Sequence, residues 1–382
     1  MSSDGNDEAV PSISVATIKP LPTQLVRARL SVGLSLDEAA QRLEIAPGVL
    51  RHWEDGTTAL TLDQVADLGE VYGRGTDYFF RPIETLTTEL AFRGTQVSSL
   101  DDLDNTARAT LVRFEELCRA EALLENAAGL RSGSRIPRLN GAEDPEGAAI
   151  QVRHRLGLND QPIRNLRELL AQEGIRVFVL SIPKTPAREF AGLSWQHPEY
   201  GPCILVNGRD KAERRNFTMA HEYAHLLISE GPVACAFMPA IPEERYANQF
   251  AAAFLMPRVT VQSEYDGMVG ERGTQLEDRQ LGRLARVFGV SLEAMSWRLE
   301  QVELIPKGST AQRLEEWLAG PPRYRARRGP KWRNQLGERF VNLAIDAHHS
   351  GEVSTSRLAS LFGIDIRRTR AALQDGPDRR ER

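Results

Sequence analysis

The nine residues Met219-Ala220-His221-Glu222-Tyr223-Ala224-His225-Leu226-Leu227 restrict what this chain can fold into more than any other stretch. On a helix that advances about 100° per residue, two histidines four apart stand one above the other on a single face. Apolar neighbours (Phe217, Met219, Ala220, Ala224, Leu226, Leu227, Ile228) require the helix to be buried. Burying two imidazoles and a carboxylate is costly unless a metal ion or hydrogen bonds compensate. The spacing therefore predicts a buried helix on which His221 and His225 bind one zinc ion. Glu222 then serves as the general base toward water at that ion and is not a ligand.

A four-coordinate catalytic zinc takes three protein ligands and leaves one position open. The third is expected from the helix beginning Glu243-Glu244-Arg245-Tyr246-Ala247-Asn248, whose tail Phe250-Ala251-Ala252-Ala253-Phe254-Leu255-Met256 buries it before Pro257 stops it. Such a helix presents Glu244 and Asn248, four apart, on one face. Glu243 is the alternative if the helix starts one residue away.

At 382 residues the chain is too long for one ordinary core, and two or three domains are expected. No apolar run approaches the roughly 20 residues of a membrane span, and the first twenty residues are polar and acidic, unlike an export signal. A cytoplasmic location is the expectation. Cys118, Cys203 and Cys235 lie far apart with no CxxC, which argues against a disulfide framework and against a thiolate zinc site.

With a net charge of −4, contact with nucleic acid must come from local patches. One is the stretch from Pro322 to Arg333, where Arg323, Arg325, Arg327, Arg328, Lys331 and Arg333 alternate with Tyr324 and Trp332. Residues 21–80, by contrast, hold five Arg and no Lys against nine Asp or Glu. In that segment Arg27, Arg29, Arg42, Arg51 and His52 could form a basic face.

Residues 1–20 read as a disordered leader. Short amphipathic helices follow at Thr23–Ser31, Leu36–Leu43, Pro47–Glu54 and Leu62–Tyr72, with a last turn at Thr76–Phe80. Ser35 with Glu38 forms a capping box, Thr61 caps the fourth helix, and Pro47 opens the third where a missing N–H costs nothing. The second and third helices, joined through Glu44–Ala46, have the dimensions of a helix-turn-helix. Residues 101–127 read as one long connecting helix, and residues 129–147, rich in Gly, Ser and Pro, as a linker. Beyond Ala148 come helices, strands at Ile175–Leu180 and Pro202–Asn207, and a helix pair near Leu281–Phe288 and Leu292–Glu303. Phe340–His348, Ser354–Phe362 and Ile366–Leu373 close the chain as a three-helix region, either a second helix-turn-helix or a helical cap on a domain.

The run from Leu25 to Gly73, with its Arg-rich first helix, Gly33-Leu34-Ser35, Glu38-Ala39-Ala40 and Trp53-Glu54-x-Gly56, resembles the phage-repressor-like (XRE) helix-turn-helix domain. The resemblance implies that Pro47–Glu54 is a recognition helix, with Arg51 and His52 toward DNA and Trp53 in the core. It also places Ala39, Leu50, Val65 and Ala66 in that core. The histidine helix and the helix after it resemble the ImmA/IrrE metallopeptidases, whose motifs look like HExxH followed by ExxAN-x-FAA-x-LLMP. Further matches are Ala191-Gly192-Leu193-Ser194, Ile204-Leu205-Val206-Asn207 and Val290-Ser291-x-x-Ala294-Met295. This resemblance implies zinc ligands His221, His225 and Glu244, Glu222 as base and acid, and Asn248 as an outer partner that holds a ligand histidine in its tautomer. An oxyanion stabiliser is sought among His154, His197, Tyr200 and Tyr246.

Together these readings describe a multidomain, mostly α chain. An all-α, five-helix helix-turn-helix domain occupies 21–82, a long connecting helix and linker 84–147, an α+β zincin-like metallopeptidase domain 148–306, and a basic stretch with a helical C-terminal region 307–382. The resemblances imply a DNA-binding transcription regulator that is also a zinc-dependent endopeptidase, with one Zn2+ per chain. Its partners would be double-stranded operator-like DNA, a repressor protein cleaved in a stress or mobile-element response, and a second copy in a homodimer. The alternative is a non-proteolytic XRE-type regulator whose metallopeptidase-like domain senses a ligand or a metal.

Overall fold

The computed structural model describes residues 17–80, 91–93, 105–130, 136–139, 144–182, 191–228, 233–235, 242–269, 276–319 and 331–374. The chain divides into two compact units, residues 1–86 and 87–382, and is mostly α-helical. Among the described residues no helix is long and apolar enough to cross a membrane.

The first unit runs β1 (Thr17–Ile18), α1 (Pro22–Ser31), α2 (Leu36–Arg42), α3 (Pro47–Glu54), β2 (Leu60–Thr61), α4 (Leu62–Tyr72) and a 3-10 turn at Thr76–Phe80. Ser35 and Glu38 exchange side-chain and backbone bonds at the start of α2, and Thr61 and Gln64 do the same for α4. Between α2 and α3 the chain turns through Glu44 in the left-handed region (φ 55°). Leu25, Ala28, Ala39, Leu50, Trp53, Val65 and Leu68 form the core. Ala66 is exposed, contrary to expectation: the inner stripe of α4 runs Val65, Leu68, Tyr72, which leaves Ala66 on the outer face. The last residues of the expected leader belong to the fold: Thr17–Ile18 pairs antiparallel with Leu60–Thr61, and Ile18 packs on the core. Residues 1–16 lie outside the described residues.

Sequence reading did not find the ion pair at the centre of this unit. Arg29 donates through Nε and Nη2 to the two Glu54 oxygens at 2.7 and 2.8 Å, and through Nη1 to the Leu34 carbonyl at 3.1 Å. Both side chains are buried, so the pair ties α1 to the recognition-type helix α3 in a fork geometry that arginine alone provides.

The second unit begins with β3 (Ala91–Arg93), α5 (Asn105–Ala127), α6 (Pro145–Arg155), α7 (Leu166–Gln172) and β4 (Arg176–Leu180). It continues with β5 (Gly192–His197), β6 (Gly201–Asn207), α8 (Ala212–Ile228), β7 (Val233–Cys235) and α9 (Pro242–Leu255). The remaining helices are α10 (Arg258–Val269), α11 (Asp278–Phe288), α12 (Leu292–Gln301), α13 (Ser309–Ala319), α14 (Trp332–Leu336), α15 (Glu338–His349), α16 (Thr355–Phe362) and α17 (Ile366–Gln374).

Its five strands lie in the order β3-β7-β5-β6-β4, with β4 parallel and β5 antiparallel to β6. Both faces of the sheet are covered, and every residue of β4 and β6 is buried, apolar except for Arg176 and Asn207 at their ends. Val177, Val179, Ile204 and Val206 join the core built by α8 and α9. Phe178, on the alternate face of β4, meets Phe114 of α5 and Phe340 of α15 edge to face.

The long helix expected after the first unit is α5, and it is more than a connection. Leu111, Phe114, Leu117, Cys118, Glu121 and Glu125 of α5 are all buried, and the helix forms the second layer over the sheet. Glu125 pairs with the buried Arg176 of β4, and Arg339 of α15 reaches Glu121 at 3.2 Å and Glu125 at 2.6 Å. The three-helix C-terminal region is thereby packed into this unit. Part of the expected linker is core as well, since Ile136 is buried and the Leu139 N–H donates to the Leu227 carbonyl at the end of α8. Residues 322–330, with most of the basic stretch, lie outside the described residues.

Removing one member of a buried ion pair leaves the other charge uncompensated. Glu54→Ala is therefore expected to destabilise the first unit by about 3 kcal/mol. Hydrogen exchange of the α1–α4 amides in the full chain measures this, and unchanged protection would contradict it.

Candidate metal centre and nucleic-acid interface

Helix α8 lies between the sheet and α9, and every residue from Thr218 to Leu227 is buried. His221, Glu222 and Glu244 are 0 % exposed and His225 is 1 % exposed. The two ring nitrogens His221 Nε2 and His225 Nε2 stand 3.1 Å apart. From the first turn of α9, Glu244 brings Oε2 to 3.2 Å from His221 Nε2 and Oε1 to 3.2 Å from His225 Nε2. Glu243, about 100° around the same turn, is exposed, so of the two adjacent carboxylates it is Glu244 that faces the histidines.

Asn248, one turn further along α9, faces the other side of the His221 ring, with Oδ1 3.0 Å from Nδ1. A carboxamide oxygen can only accept, so this contact suits a proton on Nδ1, which lets Nε2 offer its lone pair to a metal ion or, with none bound, carry a proton toward Glu244. Burial raises the Glu244 carboxyl pKa, but the hydrogen bonds and charges of His221 and His225 outweigh it and bring the group down to about 2.

The donor set suits zinc on two counts. Two imidazole nitrogens and a carboxylate oxygen are the ligand types of a catalytic site that keeps one position open. Ligands about 2.0–2.1 Å from a tetrahedral ion lie roughly 3.3 Å from one another; here the two ring nitrogens are 3.1 Å apart, each meets a different Glu244 oxygen at 3.2 Å, and one donor atom from each residue lies within 4.8 Å of the others. No other group of three or more His, Cys, Asp or Glu among the described residues meets in this way.

Glu222 leaves the ligand triangle and points toward the sheet. A Cβ on Gly192 of β5 would come within 2.6 Å of Glu222 Oε1 and 2.6 Å of Thr218 Cγ2, so the strand passes the carboxylate only because residue 192 lacks a side chain. The sequence signal was there in Ala191-Gly192-Leu193-Ser194, but nothing in one strand shows which helix it will approach. Among the oxyanion candidates, His154 is exposed on α6. His197 stacks on Tyr200 at 3.8 Å and accepts at Nδ1 from the Glu199 and Tyr200 N–H groups, so both are held at the β5–β6 hairpin. Tyr246 is partly buried against the core.

In the first unit Arg51 and His52 are exposed on α3 and Arg42 is exposed at the end of α2, whereas Leu50 and Trp53 are buried. Arg27 is corrected: at 7 % exposure it belongs to the buried face of α1, as does Arg29, because that helix turns both arginines toward the interior.

Residues 170–300 match the family model described as the IrrE N-terminal-like domain, of the peptidase M78 family. Residues 25–79 match the model described as helix-turn-helix. No curated protein matches the chain. If Asn248 fixes the His221 tautomer, Asn248→Ala should weaken zinc affinity by about 10–100-fold, measured by chelator competition, and an unchanged affinity would show that the contact is incidental. In N- to C-terminal order the chain thus holds an XRE-type helix-turn-helix domain and an IrrE/ImmA-like domain.

Proposed function

We propose that this chain is a DNA-binding regulator whose second unit is a zinc-dependent endopeptidase, acting on a partner repressor protein in a stress or mobile-element response. The observation that carries the reading is the triangle of His221, His225 and Glu244 with Glu222 buried next to it. A structural zinc site needs ligands only, and has no use for a buried carboxylate one residue from the first histidine.

His221, His225 and Glu244 would hold the ion and Asn248 would fix the His221 ring. Zinc in that position supplies a Lewis acid for a peptide carbonyl and a lowered pKa for water. Glu222 accepts the proton of the attacking water and returns it to the departing amine. Gly192 keeps β5 clear of that carboxylate. Attachment to a DNA-binding domain raises the effective concentration of the peptidase near a repressor on the same DNA. Arg51 and Arg42, with His52 beside Arg51, are exposed side chains of the first unit suited to that DNA, and symmetric half-sites would favour a homodimer.

A second reading is favoured by the burial of all four side chains: the same centre could report metal or ligand without cleaving anything. Glu222→Gln separates the two. The peptidase reading expects this variant to retain one zinc per chain, as His225→Ala does not, and to lose cleavage and regulation of the partner. Regulation that persists in Glu222→Gln would reject the peptidase and leave the sensor.

A further inference from the structure

The turn between α2 and α3 occurs a second time, near the end of the chain. Ser35 caps α2 by accepting from the Glu38 N–H at 3.2 Å, and Ser354 caps α16 by accepting from the Arg357 N–H at 3.1 Å. Nine residues after each cap the backbone enters the left-handed region, at Glu44 (φ 55°) and at Gly363 (φ 65°). The same backbone bonds close both turns: Ile45 N–H to the Ala40 carbonyl at 3.0 Å, and Ile364 N–H to the Ala359 carbonyl at 3.2 Å. Two residues past the left-handed position a new helix is capped, at Ala46 for α3 and at Asp365 for α17. Burial keeps the same register. Ala39 and Leu50 are 0 % exposed in the first copy, and Leu358 and Thr369, which hold the equivalent positions, are 0 % exposed in the second.

A shared turn alone says nothing about a partner. Helices α11 and α12 also meet through a left-handed glycine, Gly289, two residues before the cap Ser291. There the second helix is interior: Met295, Arg298 and Leu299 are buried, and Arg298 turns inward to Glu146 at 2.6 Å. In α17 the outer face is exposed among the described residues, and it is cationic. Arg367, Arg368 and Arg370 are all exposed, and the helix contains no Asp or Glu. Among the described residues, the cap Asp365 lies 3.4 Å from Arg368 in an exposed pair that leaves the Arg368 side chain 74 % exposed, an arrangement that contributes little. On the other side, α16 is fastened down: Arg113 of α5 donates to the Ser360 and Leu361 carbonyls, and Phe362 stacks on Trp332 at 4.7 Å.

From this we infer that α16 and α17 are a second helix-turn-helix and that α17 binds double-stranded DNA, its three arginines contacting phosphates and base edges. A helix of this size fits the major groove, and the first residues of such a helix are the ones that reach the bases. α17 is also the more basic of the two helices, since α3 offers only Arg51 and His52. A chain with net charge −4 thus has two local DNA-binding faces, one in each unit.

The inference rests in part on the DNA-binding reading of the first unit, and the test keeps them apart. Fluorescence anisotropy with a random-sequence duplex, from 50 to 200 mM salt, compares the full chain with R51A/H52A, R367A/R368A/R370A, the combination, and R367K/R368K/R370K. Each phosphate contact contributes about 0.9 to the slope of log affinity against log salt. The α17 alanine variant should therefore lose about 2–3 from that slope and bind at least about 10-fold more weakly at low salt. It should keep wild-type zinc content, and the lysine variant should largely restore the slope. Residual binding of R51A/H52A should vanish in the combination. An α17 alanine variant with wild-type affinity and slope overturns the inference, leaving α17 to an acidic protein surface, whatever R51A/H52A does. If R51A/H52A matches wild type while the α17 variant does not, the α3 reading falls and this one stands; a full chain without salt-dependent binding removes both.

Discussion

Two imidazole nitrogens and a carboxylate within 3.1–3.2 Å of one another, all shielded from water, are the constraint around which the second unit is built. Lone pairs so placed repel unless something positive lies among them, either a proton or a metal ion. The rest of the unit serves that convergence. The sheet carries α8 on one face, α9 crosses α8 so that its first turn meets the histidines, and Asn248 sets the ring of His221 from behind. On the other face, α5 and α15 seal the sheet through Phe114, Phe178 and Phe340 and through the buried charges of Arg176, Glu121 and Glu125.

How much of this could be read from residues alone depended on how local the physics is. The helices of the first unit and the Glu38 and Gln64 capping boxes follow from short-range rules, and α3, α4 and the 3-10 turn occur at the residues read for them. Four-residue spacing puts His221 and His225 on one face of α8 and Glu244 and Asn248 on one face of α9, but spacing alone left Glu243 open, and the meeting of the two faces was implied by the family resemblance and not by local rules. Long-range partners were not legible. Arg29 and Glu54 are 25 positions apart and each reads as a surface charge; only the assembled unit makes them a buried pair. The arginines of α1 thus mimicked a DNA face in sequence while serving the core.

A similar limit applied to α5. Its apolar spacing was visible, but one stripe is enough for a connecting helix, and the second buried surface lies partly in polar residues, Glu121 and Glu125, whose partners come from β4 and α15. Strand β5 went unread because Gly192-Leu193-Ser194-Trp195-Gln196-His197 has no continuous apolar run. It is nonetheless the strand that leaves space for Glu222.

The central claim concerns what occupies that triangle, and X-ray absorption at the zinc edge on the purified full chain addresses it most directly. The account predicts one zinc per chain in a first shell of nitrogen and oxygen only, at about 2.0–2.1 Å, with outer scattering from two imidazole rings. A shell containing sulfur at about 2.3 Å, or a chain that takes up no zinc, would contradict it.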